Sequence, residues 1–187
     1  MKPWLLNVLA CPLDKHHPLE AYFFKWETSE EELEKIARET GKPNKYFAKG
    51  YRHLASQILD GTISPPSIRA IRDLTGSENS LELGAEALNF LGRLEEGDFP
   101  SAQALLSAHP EGVDSLYRYL NLVEVEAGLL RCPQCGRWYP IGCSVGSVPE
   151  LLPDELRKEE EELAWLERWA SKVPKVVLEE GRPFKPK

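Results

Sequence analysis

The chain has no run of 18 apolar residues, so hydropathy offers no membrane-spanning helix. Its first residues, Met1 to Leu6, carry one basic side chain but neither a long apolar stretch nor a small-residue cleavage site. They do not read as a signal peptide, and a cytoplasmic protein is expected. Only four cysteines occur, and in a reducing compartment they are not expected to form structural disulfides. The phosphate-loop ending Gly-Lys-Ser/Thr, the three-glycine dinucleotide pattern and His-Glu-x-x-His are all missing. His53 and His109 stand alone and read as surface or core residues, and the carboxylates fall in helical charge runs. These absences argue against independent catalysis. A net charge of −7 without any basic run argues against a broad nucleic-acid footprint.

What is present is enough for a real core: 187 residues, 42% of them hydrophobic, make one large domain or two small ones. The aromatic-rich segment Leu19–Trp26 reads as a strand. Leu122–Glu126 alternates apolar and acidic residues and reads as another. Ala127-Gly128 then predicts a turn, Leu129–Cys132 a further strand and Arg137–Ile141 the next. Between the two ends the texture is helical. Ser29 with Glu32 spells a capping box before Leu33, Ile36 and Ala37. A helix is predicted from the Ser64-Pro65-Pro66 start to Gly76, and another carries Leu81, Ala85, Leu88 and Leu91. A charged helix is expected over 154–171, followed by an extended tail over 173–187.

The expected fold class is therefore α+β. Residues 1–26 and 122–153 form a small zinc-ribbon-like antiparallel sheet, 29–121 a central helical insertion, and 154–187 a C-terminal helical extension.

Three cysteines cluster in "LLRCPQCGRWYPIGCSVGSVPELLP", and the fourth opens "CPLDKHH". A zinc ribbon uses two short ligand pairs, each in a tight turn, to complete a tetrahedron. Cys132-Pro-Gln-Cys135-Gly136 is a good second pair, because Gly136 can take the positive φ such a turn needs. In the first pair Cys11 is present and Pro12 mirrors Pro133, but Asp14 stands where the partner thiolate belongs. Zinc held by Cys11, Cys132 and Cys135 thus has three candidate fourth ligands. His16 is favoured for its chemistry over Asp14, and both over Cys143, eight residues past Cys135. The competing reading leaves Cys132 and Cys135 as reduced thiols and Asp14 as a turn cap. A thioredoxin-like redox role would need the pair at a helix N-terminus, whereas strand-like segments flank it.

Three blocks in order carry a resemblance: "LLNVLACPLDKHHPLE", "GLLRCPQCGRWYPI" and "VPELLPDELR". Together they resemble the small zinc-ribbon activator subunit of class I S-adenosylmethionine-dependent methyltransferases. The resemblance covers about residues 2–26 and 122–157. It implies a non-catalytic partner of enzymes that methylate tRNA, ribosomal RNA and the translation termination factor. It further implies a one-to-one heterodimer, strand addition beside the enzyme's sheet, S-adenosylmethionine bound by the partner alone, and RNA met only through that partner. Tyr139, Pro140, Ile141, Val148, Pro149, Leu151 and Leu152 are the expected partner-binding residues. Pro140 and Pro149 interrupt pairing, and an edge left open invites a partner strand.

The sequence departs from the family pattern at Asp14, in the long loop Gly142–Ser147 and in its C-terminal extension. The alternative function is a zinc-ribbon RNA-binding module. Arg131, Arg137 and Trp138, with Lys15, His16 and His17, would then form a small basic-aromatic patch.

Overall fold

A computed structural model describes residues 1–94 and 98–186. Four strands form one sheet: β1 (Glu20–Trp26), β2 (Ile71–Asp73), β3 (Val125–Arg131) and β4 (Trp138–Ile141), in the order β2-β1-β3-β4. The strands from the chain ends are antiparallel, with Glu20 opposite Arg131 and Leu130 opposite Tyr139. The α+β class and the end-to-end sheet are as expected.

Where strand and turn were expected separately over 122–132, one continuous strand runs from Val125 to Arg131. Leu122 instead ends the preceding helix. Gly128 is not a turn residue. A Cβ there would stand 2.7 Å from the Tyr22 carbonyl oxygen, so this glycine permits close approach of β3 to the irregular part of β1.

The predicted helix from Ser64 stops early. The helix α3 spans Pro65–Arg69, and the residues beyond it become β2, parallel to β1. Ala21 N–H donates to the Ala70 carbonyl and Leu74 N–H to that of Phe23. Pairing with the free side of β1 thus overrides the local helical preference.

The other helices between β1 and β3 are α1 (Glu30–Glu39), α2 (Ala48–Leu59), α4 (Glu78–Leu94), α5 (Ala102–Ala108) and α6 (Pro110–Asn121). The α1 capping box is formed in both directions: Glu32 N–H donates to Ser29 Oγ, and Ser29 N–H donates to the Glu32 carboxylate. Ser29→Ala is expected to cost about 1 kcal/mol, read from urea unfolding. The buried side of α4 carries Leu83, Ala87, Phe90 and Leu91; Leu81, expected on that stripe, is 51% exposed. The leucine-spaced segment 80–97, expected as one helix, ends in residues 95–97, which lie outside the described residues.

Each sheet face has its own core. Ala21, Phe23, Leu130, Tyr139 and Ile141 point to the side that also holds Leu54, Phe90 and Leu116. Phe24, Leu129 and Trp138 point to the other side, against Trp165, Leu166, Val173 and Val177. Strands buried on both faces read as near-continuous apolar runs, which is why "LL" and "WYPI" did not alternate.

The segment after Pro153 makes a 3₁₀ turn over Asp154–Leu156, α7 (Glu159–Arg168) and α8 (Lys175–Glu180). α8 replaces part of the extended tail expected over 173–187. Among the described residues no helix is long and apolar enough to cross a membrane.

Candidate functional site

Two turns of matching geometry face each other across the end of the sheet. In the first, Lys15 N–H donates to the Cys11 carbonyl at 2.9 Å and Cys11 N–H to the His16 carbonyl at 3.0 Å. In the second, Gly136 N–H donates to the Cys132 carbonyl at 3.0 Å and Cys132 N–H to that of Arg137 at 2.8 Å. The fifth residue of each turn has positive φ, 62° at Lys15 and 74° at Gly136. Asp14 therefore occupies in the first turn the place that Cys135 occupies in the second.

This correspondence decides which side chains meet. The ligating atoms of Cys11, Asp14, Cys132 and Cys135 all lie within 4.8 Å of one another. His16, the favoured fourth ligand by chemistry, is not in this group. The chain has already reversed at Lys15, and His16 contributes its backbone N–H to Asp14 Oδ1 at 3.0 Å. His17 is also turned away, with Nδ1 against the Leu9 carbonyl and Nε2 against Ser67 Oγ. Cys143 packs in the other core, its thiol donating to the Glu161 carbonyl.

The spacing of the four groups suits a tetrahedral zinc ion. With zinc–sulfur distances near 2.3 Å, thiolates stand about 3.8 Å apart, and a thiolate and a carboxylate oxygen about 3.6 Å apart. Cys11 Sγ and Cys135 Sγ are separated by 3.8 Å, and Cys132 Sγ lies 3.4 and 3.6 Å from the two Asp14 oxygens. The His16 backbone N–H, followed by hydrogen bonds from the cysteines, holds the Asp14 carboxyl down at about 2. Asp14 is thus an anion ready to ligate. Burial pushes the Cys132 thiol up to about 12, so a bound cation would take the place of its proton. The Tyr139 hydroxyl lies 3.3 Å from Cys11 Sγ, linking the centre to β4.

The expected docking residues divide into two groups. Tyr139, Pro140 and Ile141 are buried, with Tyr139 and Ile141 in the core beneath the helices. Pro149 and Leu151 are half-buried, whereas Val148 is 43% and Leu152 39% exposed. Beside Leu152 runs a 140 Å³ groove whose walls include Pro12, Leu13, Tyr139 and Pro153. Leu13 is 60% exposed, and Leu156, in the 3₁₀ turn just past Pro153, is 63% exposed. Leu13 carries no periodic signal as a lone leucine in a loop, and Leu156, expected on the apolar side of the charged helix with Leu163, Leu166 and Trp169, stands instead in the 3₁₀ turn.

The basic-aromatic patch is not assembled. Arg131 pairs with Glu20 at 2.8 Å, and Arg137 makes a two-pronged bond to Asp154 with a closest contact of 2.7 Å. Trp138 is fully buried. These three residues brace the sheet rather than present a stacking surface.

The string Gly142-Cys143-Ser144-Val145-Gly146 also matches the Gly-x-Ser-x-Gly spacing of a hydrolase nucleophile elbow, which requires a strand–turn–helix context. Here it lies in the loop after β4. Ser144 Oγ donates to the Glu150 carboxylate at 2.7 Å, and that carboxylate also accepts from the backbone N–H groups of Cys143 and Ser144. The serine closes a loop.

A family model described as Trm112p-like protein matches residues 2–142. That span contains both turns and all four strands. No curated protein matches the chain.

Proposed function

From the premise that the chain belongs to the Trm112p-like family, the methyltransferase activator family, we propose that it is a non-catalytic one-to-one partner of class I S-adenosylmethionine-dependent methyltransferases. The substrates we assign to those enzymes belong to the translation machinery: tRNA, ribosomal RNA and the release factor. The enzyme binds S-adenosylmethionine, and RNA meets this chain only through the enzyme. The observation that carries the reading is the family match with its paired turns intact.

Cys11, Asp14, Cys132 and Cys135 would hold zinc. The ion would supply a cross-link between segments 118 to 124 residues apart in the chain. Held in this way, the first turn keeps Leu13 beside Leu152, and Tyr139 supports the groove from below. We assign docking to Val148, Pro149, Leu151 and Leu152 together with Leu13 and Leu156. Tyr139, Pro140 and Ile141 act as the rigid backing. The helices of 29–121 serve as a brace behind the sheet, and β2 from the same span extends its edge.

The test is co-expression with class I methyltransferases of the same source, followed by affinity capture. A stoichiometric, salt-resistant complex is expected. Leu13→Asp combined with Leu152→Asp should weaken it at least roughly tenfold, because a charge placed in an apolar contact stays unpaired. Circular dichroism of the free variant should be unchanged, since both side chains are exposed. Normal binding by the double variant would show that docking uses another surface.

A further inference from the structure

The outer side of β4 is covered by residues beyond the matched span. The family match ends at residue 142, and the chain's own later residues lie along that side. β4 is the last strand of the sheet, bonded to β3 on one side only. On its other side Trp138 N–H donates to the Arg182 carbonyl at 3.0 Å, and Arg182 N–H donates to the Gly136 carbonyl at 3.1 Å. The two bonds form a short parallel bridge between Arg137 and Arg182. Trp138 Nε1 donates to the Phe184 carbonyl at 2.9 Å. Towards the other end, Glu150 N–H donates to the Pro140 carbonyl at 2.9 Å. This is strand addition carried out within one chain.

The covering segment is anchored by aromatic contact. Trp165 of α7 stacks on Trp138, with ring centroids 6.5 Å apart and planes 10° from parallel. Val177 of α8 is buried in the same core. The anchoring also contains an internal cost. Arg157 and Glu162 form a buried ion pair beneath the extension, and Arg157 lies over the rings of Trp138, Tyr139 and Phe184. Among the described residues its Nη1 has no hydrogen-bond partner. A buried pair with an unsatisfied donor gives back desolvation free energy when it returns to water.

We propose that Gly181–Phe184, delivered by α7 and α8, occupies in the free protein the β4 edge that a strand of the methyltransferase takes in the complex. The inference rests on the function proposed above. The incoming segment is extended. It offers a carbonyl to Trp138 N–H and an N–H to the Gly136 carbonyl, and its apolar side chains pack beside Trp138 at the edge. The extension keeps an otherwise sticky edge covered until the enzyme arrives. It also reduces the apparent affinity by the fraction of molecules in which the edge is free.

Hydrogen–deuterium exchange on the full chain, alone and bound to the methyltransferase obtained by co-expression, tests this directly. Peptides covering 157–184 should exchange at least roughly tenfold faster in the complex, while 136–142 stay protected. Trp165→Ala removes the stack and the Trp165 Nε1 bond to the Gly142 carbonyl but leaves the β3–β4 ladder intact, and it should bind the same enzyme roughly tenfold more tightly. If the extension stays protected in the complex and Trp165→Ala binds no tighter, the inference is overturned. Should that variant fail to fold, exchange on the unaltered chain decides alone. Release of the extension with dimer formation in the absence of enzyme would assign the edge to a second copy and also overturn it. If the unaltered chain and Trp165→Ala both bind no methyltransferase, the function proposed above falls, and this inference with it.

Discussion

Asp114→Ala is expected to lower the unfolding free energy by about 3–5 kcal/mol, because it strands a buried cation. Asp114 is fully buried on α6, and the Arg118 side chain is 2% exposed. Arg118 Nε bonds both Asp114 oxygens, at 3.0 and 2.9 Å, while its Nη1 reaches Glu39 on α1 at 3.1 Å. The Tyr51 hydroxyl on α2 also donates to Asp114, at 2.5 Å. Removing the carboxylate therefore leaves both the guanidinium and the phenol without their main partner, where three helices meet. Urea unfolding should show a lower midpoint with an unchanged slope. Asp114→Asn, which keeps an acceptor for Tyr51, should lose less. A loss under about 1 kcal/mol for the alanine variant would mean that Arg118 can swing into water, and that the helical brace does not depend on this network.

Cys132→Ala is expected to empty the proposed metal centre. Zinc measured by plasma mass spectrometry should fall from about one ion per chain to below about 0.1, since two thiolates and a carboxylate no longer close a tetrahedron. The stability lost should match that removed by a chelator from the unaltered chain. It amounts to about 4 kcal/mol if free zinc stands a thousandfold above its dissociation constant. Asp14→Ala should also lose the ion, whereas His16→Ala should retain it, because His16 takes part through its backbone. Retention in Asp14→Ala with loss in His16→Ala would reverse the ligand assignment.

That ligand question also marks how far the sequence could be read. The mirrored spacing of Cys11-x-x-Asp14 and Cys132-x-x-Cys135 was visible, and it pointed to Asp14. General ligand chemistry pointed to His16. Backbone geometry brings Asp14, and not His16, among the three cysteines, and that placement was encoded in the register of the two turns rather than in the chemistry of the side chains. The capping box at Ser29 and the strand at Glu20–Trp26 were legible because each depends on neighbouring residues. β2 was not, because Ile71–Asp73 becomes a strand only by meeting β1, some fifty residues away. Gly128 reads as a turn in isolation and as a close backbone contact only when β1 is in place. Tyr139 and Ile141 were legible as an apolar cluster, but their burial depends on helices that pack from elsewhere in the chain.

The most direct measurement is a titration. A class I methyltransferase that co-purifies with this chain is held at fixed concentration with saturating S-adenosylmethionine and its RNA or protein substrate, and the purified full chain is added. Methyl transfer should rise and level off at one chain per enzyme, and the chain alone should transfer no methyl group. A rate that stays flat through a roughly tenfold excess would contradict the account, as would methyl transfer by the chain without the enzyme.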